Sequence, residues 1–376
     1  MRIGYGVTVL ARGTHSGGID GIGMYTRELG AALQRLDDIK LNPVTFGHRL
    51  DAGDLPAAKN LGRFAPRALA SSLFPIPFAG SSRLRGRIDV FHATDHYVPR
   101  LSGIPVVATL MDAIPLSHPE WVTMHGRSVK NWLWRRTARR AQRVITISQH
   151  SKREIVEYFG IDESRVRIVP LGVDARHFNQ VNPAARDATL AKFGLRAPFF
   201  LFVGTLQPRK NLSRMIAAHD ALPADMRRAA PLVIVGREGW GCDALIPKLR
   251  KADSGPLRWL RYVSDNETSA IMQSATALVF PSLYEGFGLP VLEAFAAGLP
   301  VITSSTTALP EVAGDAALTV DPLDVDQIAA AMRTILEDST LRQTYRERGL
   351  QRARAFTWDR TAIMTAQVYR EAALLA

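Results

Sequence analysis

Short runs of β-branched and aliphatic residues alternate with amphipathic stretches along the whole chain, and the alternation predicts two layered α/β domains. In the first half, Ile3–Val9, Asp89–His92, Val106–Leu110, Val144–Ile147 and Val166–Val169 have the composition of buried strands. Helical spacing runs through Gly23–Arg35, Arg127–Ala141 and Lys152–Phe159. In the second half the predicted strands are Phe199–Val203, Leu232–Val235, Arg258–Tyr262, Ala277–Phe280 and Val301–Thr303, with Leu318–Val320 a candidate last one. Ile328, Met332, Ile335 and Leu336 mark a late helix, and a basic helix follows it. From Thr357 to Ala376 the pattern puts Trp358, Ala362, Ala366, Tyr369 and Ala373 on one helical face. Asp174–Pro198 reads as a hinge with a lead-in helix. The stretch from about Arg49 to Gly86, rich in Pro, Gly, Ala and Arg, predicts a mobile loop near the face between the domains.

One segment concentrates candidate chemistry. Ala277–Phe280 is a strand, Pro281 and Ser282 end it, and Leu283-Tyr284-Glu285-Gly286-Phe287-Gly288-Leu289-Pro290-Val291-Leu292-Glu293 follows. Pro290 suits the first helical position, where a missing N–H costs nothing. The amides of Phe287, Gly288 and Leu289 then lie unpaired at a helix N-terminus, a place for a phosphate or a sugar hydroxyl. Glu293, about one turn in, leans back toward that end and can accept from both hydroxyls of a ribose. Glu285, before the turn, can reach a second polyol. The alternative is a solvated loop acid and a helix acid stabilised only by the dipole. A strand-turn-helix-strand context favours ligand binding, because open α/β sheets bind ligands at the carboxyl ends of their strands.

Strand Phe199–Val203 runs into Gly204 and then Arg209-Lys210-Asn211 before another helix. A guanidinium fork beside a point charge matches a diphosphate whose charge grows as it leaves. Gly21-Ile22-Gly23 joins the first strand to the first helix and either admits a ligand close to backbone or serves the turn alone. It lacks the third glycine of a dinucleotide fingerprint and the Lys-Ser/Thr of a P-loop, which disfavours NAD. Asp112, at another strand end, either positions an acceptor hydroxyl or caps its turn. His92, His96, His118 and His125 lack metal-ligand spacing and read as structural or loop histidines.

The chain has 376 residues, 47% of them hydrophobic and 22% charged, which is ordinary for a globular protein with a large core. Cys242 is the only cysteine, so no disulfide forms within the chain, in keeping with a reducing, cytoplasmic setting. The first ten residues are too short an apolar core for a signal peptide, and no run reaches the length of a membrane span. Charge is uneven: residues 1–180 hold 25 Lys+Arg against 15 Asp+Glu, a net of +10 out of +12 overall. No nucleic-acid recognition motif accompanies it. Lys130, Trp132, Trp134, Arg135, Arg136, Arg139 and Arg140 share one predicted helix, which suits either a membrane interface or a solvated face with one buried tryptophan.

These motifs together resemble the retaining glycosyltransferases of GT-B architecture, family 4, over nearly the full length. The resemblance is carried by Gly21–Leu29, Thr146–Ser151, Val169–Asp174, Gly204–Asn211, Gly236–Trp240, Tyr262–Asp265, Glu285–Glu293 and Leu309–Ala317. It implies two Rossmann-like domains facing across a cleft: an acceptor-binding domain over 1–178 and a nucleotide-sugar domain over 179–356, with the 357–376 helix packing back on the first. Arg209 and Lys210 would hold the donor diphosphate, and so act in catalysis. Glu293 would bind the ribose. Glu285, with Gly286 and the Phe287–Leu289 amides, would meet the donor sugar, and the Gly21–Gly23 loop would close over the phosphates. The family works without a metal or cofactor, commonly on GDP- or UDP-sugars. It adds hexoses to lipid-linked or oligosaccharide acceptors in polysaccharide and O-antigen assembly; separately, the basic first half of the chain suits an anionic partner, a peripheral membrane surface or a phosphorylated substrate. One departure stands out. Many relatives have His-Asp where this chain has Met111-Asp112, and the family histidine touches the donor sugar near its C6 hydroxyl. Methionine cannot repeat that bond, which suggests a 6-deoxyhexose donor, a Met111 that merely packs the loop, or an impaired protein that only binds nucleotide sugar.

Overall fold

The computed structural model describes residues 1–15, 18–51, 53, 55–74, 76–121, 126–251 and 255–375. The chain divides into two compact units, residues 1–172 with 358–376, and residues 173–357. The division falls a few residues before the expected 178, because the turn Ala175–Phe178 packs against a helix of the second unit.

The first unit contains β1 (Arg2–Gly6), α1 (Thr8–His15), α2 (Gly21–Leu33), β2 (Lys40–Thr45), β3 (Lys59–Asn60), α3 (Phe64–Leu73), β4 (Val90–Ala93) and β5 (Val106–Thr109). It continues with α4 (Ile114–Ser117), α5 (Arg127–Ala138), β6 (Arg143–Thr146), α6 (Gln149–Phe159) and β7 (Val166–Ile168). The second unit runs α7 (Pro183–Phe193), β8 (Phe200–Val203), α8 (Leu212–Asp220), α9 (Ala224–Ala229), β9 (Leu232–Val235), α10 (Ile246–Lys251), β10 (Leu257–Leu260), α11 (Asp265–Ser274) and β11 (Ala277–Phe280). It ends with α12 (Leu289–Ala296), β12 (Val301–Ser304), α13 (Leu309–Ala313), β13 (Leu318–Val320), α14 (Val325–Glu337) and α15 (Ser339–Ala353). The last helix, α16 (Trp358–Ala373), returns to the first unit.

Both sheets are wholly parallel, in the orders β3-β2-β1-β4-β5-β6-β7 and β10-β9-β8-β11-β12-β13. Each chain path starts mid-sheet, winds to one edge and returns to build the other. The switch points therefore lie between β1 and β4, and between β8 and β11. Strands β4, β5, β9, β11 and β12 are buried at every position, as strands covered on both faces must be.

Two expectations fail here. The predicted first strand stops at Gly6, and Thr8–His15 is helical, with the Ala11 amide bonding the Val7 carbonyl. A β-branched run at a strand's end gave no sign of that change of period. The predicted mobile loop is part of the core instead: Leu61, Phe64, Ala68, Phe78 and Leu84 are buried, and Phe46 meets both Phe64 and Phe78 with ring centroids 5.2 Å apart. Its glycines and prolines masked a helical face at Phe64 and Ala68.

The C-terminal helix is held by its apolar face and by buried polar bonds. Trp358 packs near Tyr25, and the Tyr369 hydroxyl lies 2.7 Å from His92 Nδ1. His92 is fully buried, and its other nitrogen is 2.8 Å from the Thr109 hydroxyl. Burial pushes its pKa down to about 3, so it stays neutral and structural. Glu371 takes both Arg143 and Arg167, at 3.0 and 2.9 Å. Among the described residues no helix is long and apolar enough to cross a membrane.

Candidate functional site

The loops after β8 and β11 meet at the second unit's switch point. Leu283 donates its amide to the Arg209 carbonyl at 2.7 Å, tying one loop to the other. Asn211 pins them further. It sits in the left-handed region at φ 60°, which asparagine tolerates better than most side chains, and its amide group donates to the carbonyls of Pro281 at 2.9 Å and Pro322 at 2.6 Å. In the sequence, the only sign of this positioning role is an Asn that closes a strand-end turn.

Glu285 lies between the two cations. Its Oε1 accepts from Lys210 Nζ at 2.6 Å and its Oε2 from Arg209 at 2.9 Å. The carboxylate and the ammonium are more than nine-tenths buried, while the guanidinium keeps 21% of its surface. The Lys210 ammonium also sits 4.6 Å from the centre of the Phe280 ring, and Arg209 donates to Gln207 and to the Tyr284 carbonyl. Burial alone would raise the Glu285 pKa; Lys210 and Arg209 outweigh it and hold the carboxyl below its ordinary value. Burial pulls the Lys210 pKa down, and Glu285 opposes that. The three side chains carry one surplus positive charge in a largely dry setting, where an anion gains most from meeting it.

The helix beside them begins with no side-chain cap. Gly288 stands at its N-cap with φ 116°, and a Cβ there would come 2.7 Å from Leu309, so only glycine fits. Pro290 occupies the second helical position rather than the first, which is equally free of cost. The Phe287 side chain turns inward against Phe356, with ring centroids 5.9 Å apart, and Gly286 and Gly288 are buried beside it. The Glu285 amide donates to the Thr307 hydroxyl at 3.3 Å.

Glu293 follows one turn on, with 30% of its side chain open. Burial pushes its pKa up to about 7; Asp265 and Asp174 add to this, and Arg176 and Lys210 oppose it. His177 Nε2 is 3.9 Å away, and burial lowers that histidine's own pKa. Arg176 bridges Asp174 and Asp265 at 3.2 and 3.0 Å. These four partners come from the hinge and from α11, which no spacing in the sequence linked to Glu293.

A recess of about 480 Å³ opens at the ends of β8, β9 and β10, lined by Gly204, Thr205, Gly236, Arg237, Arg261 and Tyr262 among others. Gly236 is obligatory, since a Cβ would lie 1.9 Å from the Gly204 carbonyl oxygen. Arg261 lies 4.5 Å from the Trp259 ring centre, and Tyr262 is 85% exposed.

In the first unit the candidates are more dispersed. Asp112 accepts from the Ile114 amide at 3.1 Å, capping its turn, and it and Met111 are half-buried. The Gly23 amide is taken by the Asp20 carboxylate at 2.8 Å, so it does not face a ligand. Glycine is needed there for packing, because a Cβ would meet Ile19 at 2.7 Å; Gly21 meets nothing within 4 Å. Trp134 turns inward onto Phe159 at 4.9 Å and leaves Trp132 as the exposed ring of α5. His125 lies outside the described residues. The chain does carry one Asp-x-Asp string, Asp324-Val325-Asp326. There Asp324 caps α14 by accepting from the Gln327 amide at 2.9 Å.

Two doubly wound parallel sheets, the second with cations and carboxylates buried at its switch point, are the GT-B class of glycosyltransferase. The sequence family described as Glycosyltransferase Family 4 matches residues 19–177, and Glycosyl transferases group 1 matches residues 188–352. The O-antigen chain mannosyltransferase B of Escherichia coli is 33% identical over 284 residues, 75% of this chain and 74% of that protein. The chain belongs to glycosyltransferase family 4. Among solved structures, sucrose-phosphate synthase from Thermosynechococcus elongatus has a TM-score of 0.76 at 19% identity, covering 100% of both chains. Anabaena HepE in complex with UDP and glucose has a TM-score of 0.74 at 16% identity, covering 99% of this chain and 100% of that one.

Proposed function

We propose that this glycosyltransferase moves a mannose-configured hexose from a nucleoside diphosphate sugar to a lipid-linked or oligosaccharide acceptor, with retention and without a metal. The observation that carries the reading is the buried Arg209–Glu285–Lys210 triad, with its surplus positive charge, beside the uncapped start of α12. The nucleobase fits the recess bounded by Gly236, Arg261 and Tyr262. Glu293 accepts from both ribose hydroxyls, and Arg209, Lys210 and the α12 amides take the diphosphate.

In the reaction the bond from the anomeric carbon to the leaving phosphate oxygen breaks, and the acceptor oxygen bonds to the same carbon from the same face. The acceptor's proton passes to the departing phosphate. Arg209 and Lys210 stabilise the charge that grows on that phosphate, which is transition-state stabilisation by pre-placed cations. Glu285 holds the cations in place. Both its oxygens already carry charge-assisted bonds, which makes it a poor nucleophile for a covalent route.

The relatives' names support mannose and polysaccharide assembly. Met111 favours a second reading, a 6-deoxy sugar such as rhamnose or fucose, because an apolar side chain suits a methyl group at C6. The test is incubation with a panel of GDP- and UDP-sugars, with and without chelator, following nucleotide release and the anomeric configuration of the product. Release that survives chelation, with a retained product, is expected. An inverted product ends the same-face mechanism, and saturable binding with no release from any donor identifies a binder rather than an enzyme.

A further inference from the structure

Polar groups mostly withdrawn from water are nearly always hydrogen-bonded. On α12 and the hinge turn beside it, two neighbours break that rule together. The Glu293 side chain keeps 30% of its surface and His177 only 13%, and Glu293 Oε1 stands 3.9 Å from His177 Nε2. That is too long for a hydrogen bond. Among the described residues, neither carboxylate oxygen of Glu293 and neither ring nitrogen of His177 has a hydrogen-bond partner. Glu285, by contrast, has both oxygens satisfied by Lys210 and Arg209.

The turn Ala175–Phe178 carries His177, and that turn is fastened. Asp174 caps it by accepting from the Arg176 amide at 2.9 Å, and the His177 amide donates to the Asp174 carbonyl at 3.1 Å. The Arg176 guanidinium spans Asp174 at 3.2 Å and Asp265, at the start of α11, at 3.0 Å. Burial, then the Arg176 cation, lower the His177 pKa, so at neutral pH the ring is neutral and carries one N–H. A carboxylate offers about four acceptor sites, and two ribose hydroxyls use one on each oxygen, which leaves room for a third donor.

We infer that His177 is a positioning residue for the nucleotide ribose: as the ribose hydroxyls bind Glu293, His177 Nε2–H donates to Oε1 and fixes the carboxylate in its ionised form. This role rests on the reading of Glu293 as the ribose carboxylate. The other charges bearing on Glu293 are Asp174 and Arg176 of the hinge, Asp265 of α11 and Lys210 after β8. β11 and β12 carry no ionisable side chain, and the one titratable group of α13, Glu311, is exposed. α15 packs on the face of α12 away from Glu293, its Gly349 against Phe295 and its Arg346 beside Gly298. Asp174 and Asp265 work against a negative Glu293, and an N–H aimed at the carboxylate offsets them.

The probes are GDP, UDP and their 2′-deoxy forms, titrated calorimetrically into the full chain across neutral pH, with thermal melts to establish that each variant is folded. His177→Phe keeps a ring but loses its N–H, and is expected to weaken binding of the tighter nucleotide about tenfold and to shrink its preference for ribose over deoxyribose. The loss is expected to be full above about pH 7, where Glu293 is ionised, and to fade as acid protonates it, so that the two affinity curves converge. His177→Gln, which carries an amide N–H, is expected to recover most of the affinity. Wild-type affinity in folded His177→Phe, a loss equally large in acid, an unchanged ribose preference, or a His177→Gln no better than His177→Phe would each overturn the proposal. Glu293→Ala separates the two readings. Weak binding there beside normal binding in His177→Phe strikes only the role of the histidine, whereas normal binding in Glu293→Ala removes the ribose site and this inference with it.

Discussion

At the ends of β8 and β11 the second unit surrounds a carboxylate with two cations, buries most of that cluster, and places an uncapped helix start beside it. Along α5 the first unit instead gathers five arginines around a cavity with no carboxylate among the described residues of its lining, with Trp132 there 42% exposed. Both are cationic, yet the physics differs. A buried, partly neutralised cluster is held to one geometry, and its charge acts in a low dielectric. An open cluster of like charges is screened by salt. Net charge, +10 over residues 1–180, therefore marks a different half of the chain from the one with the buried charge cluster.

The sharpest way to break this contrast is to truncate an ionisable side chain at the second unit's site. Lys210→Ala and Glu293→Ala are each expected to lower turnover by roughly a hundredfold or more, about 3 kcal/mol in the barrier. Steady-state kinetics on folded variants decides it. Near-normal rates in either variant would remove the donor site from the β8–β11 switch point.

Next in size is a pH effect that only the buried site can show. The Glu293 carboxyl titrates at about 7 in the folded protein against 4.5 ordinarily. Below that pH it holds a proton and loses acceptor capacity toward the ribose hydroxyls. Donor affinity is therefore expected to fall as pH drops below about 7, by up to roughly tenfold per unit for one linked proton. Folding takes up a proton between the two values, so this group makes the protein less stable as pH rises through that window. Glu293→Gln should flatten both dependences. Calorimetric titration of the nucleotide across pH checks the first and thermal melts the second; a pH-independent wild-type affinity would contradict the assignment.

A further prediction concerns Met111. Burying a hydroxyl without a partner costs about 1–3 kcal/mol, so the 6-deoxy reading requires wild type to prefer a deoxy donor by roughly tenfold to a hundredfold in kcat/KM. Met111→His should erase that preference. A wild type that favours the hydroxylated parent sugar leaves the mannose reading in place and makes Met111 a packing residue.

Much of the site was legible because its residues sit at strand ends that apolar runs announce. Gly204, Arg209, Lys210, Glu285, Gly288 and Glu293 each follow such a run, and parallel strands carry their carboxyl ends to one side of the sheet. The fold class was legible for the same reason. Less visible were α1, where a β-branched segment turned helical, and α3, where proline and glycine hid a buried face at Phe64 and Ala68.

The sequence by itself determined two α/β units, the strand-end loops and the residue types in them, since hydrophobic period and turn chemistry are local properties. Only the tertiary structure decided what those residues do to one another. Burial and the meeting of loops 75 residues apart gave Glu285 two cations. The hinge and α11 brought Asp174 and Asp265 near Glu293 and, added to burial, raised its pKa. The fold turned Trp134 inward while Trp132 stayed out, and set α3 beside α5. Each of these depends on distances across the chain, and electrostatics and exposure are functions of those distances rather than of composition.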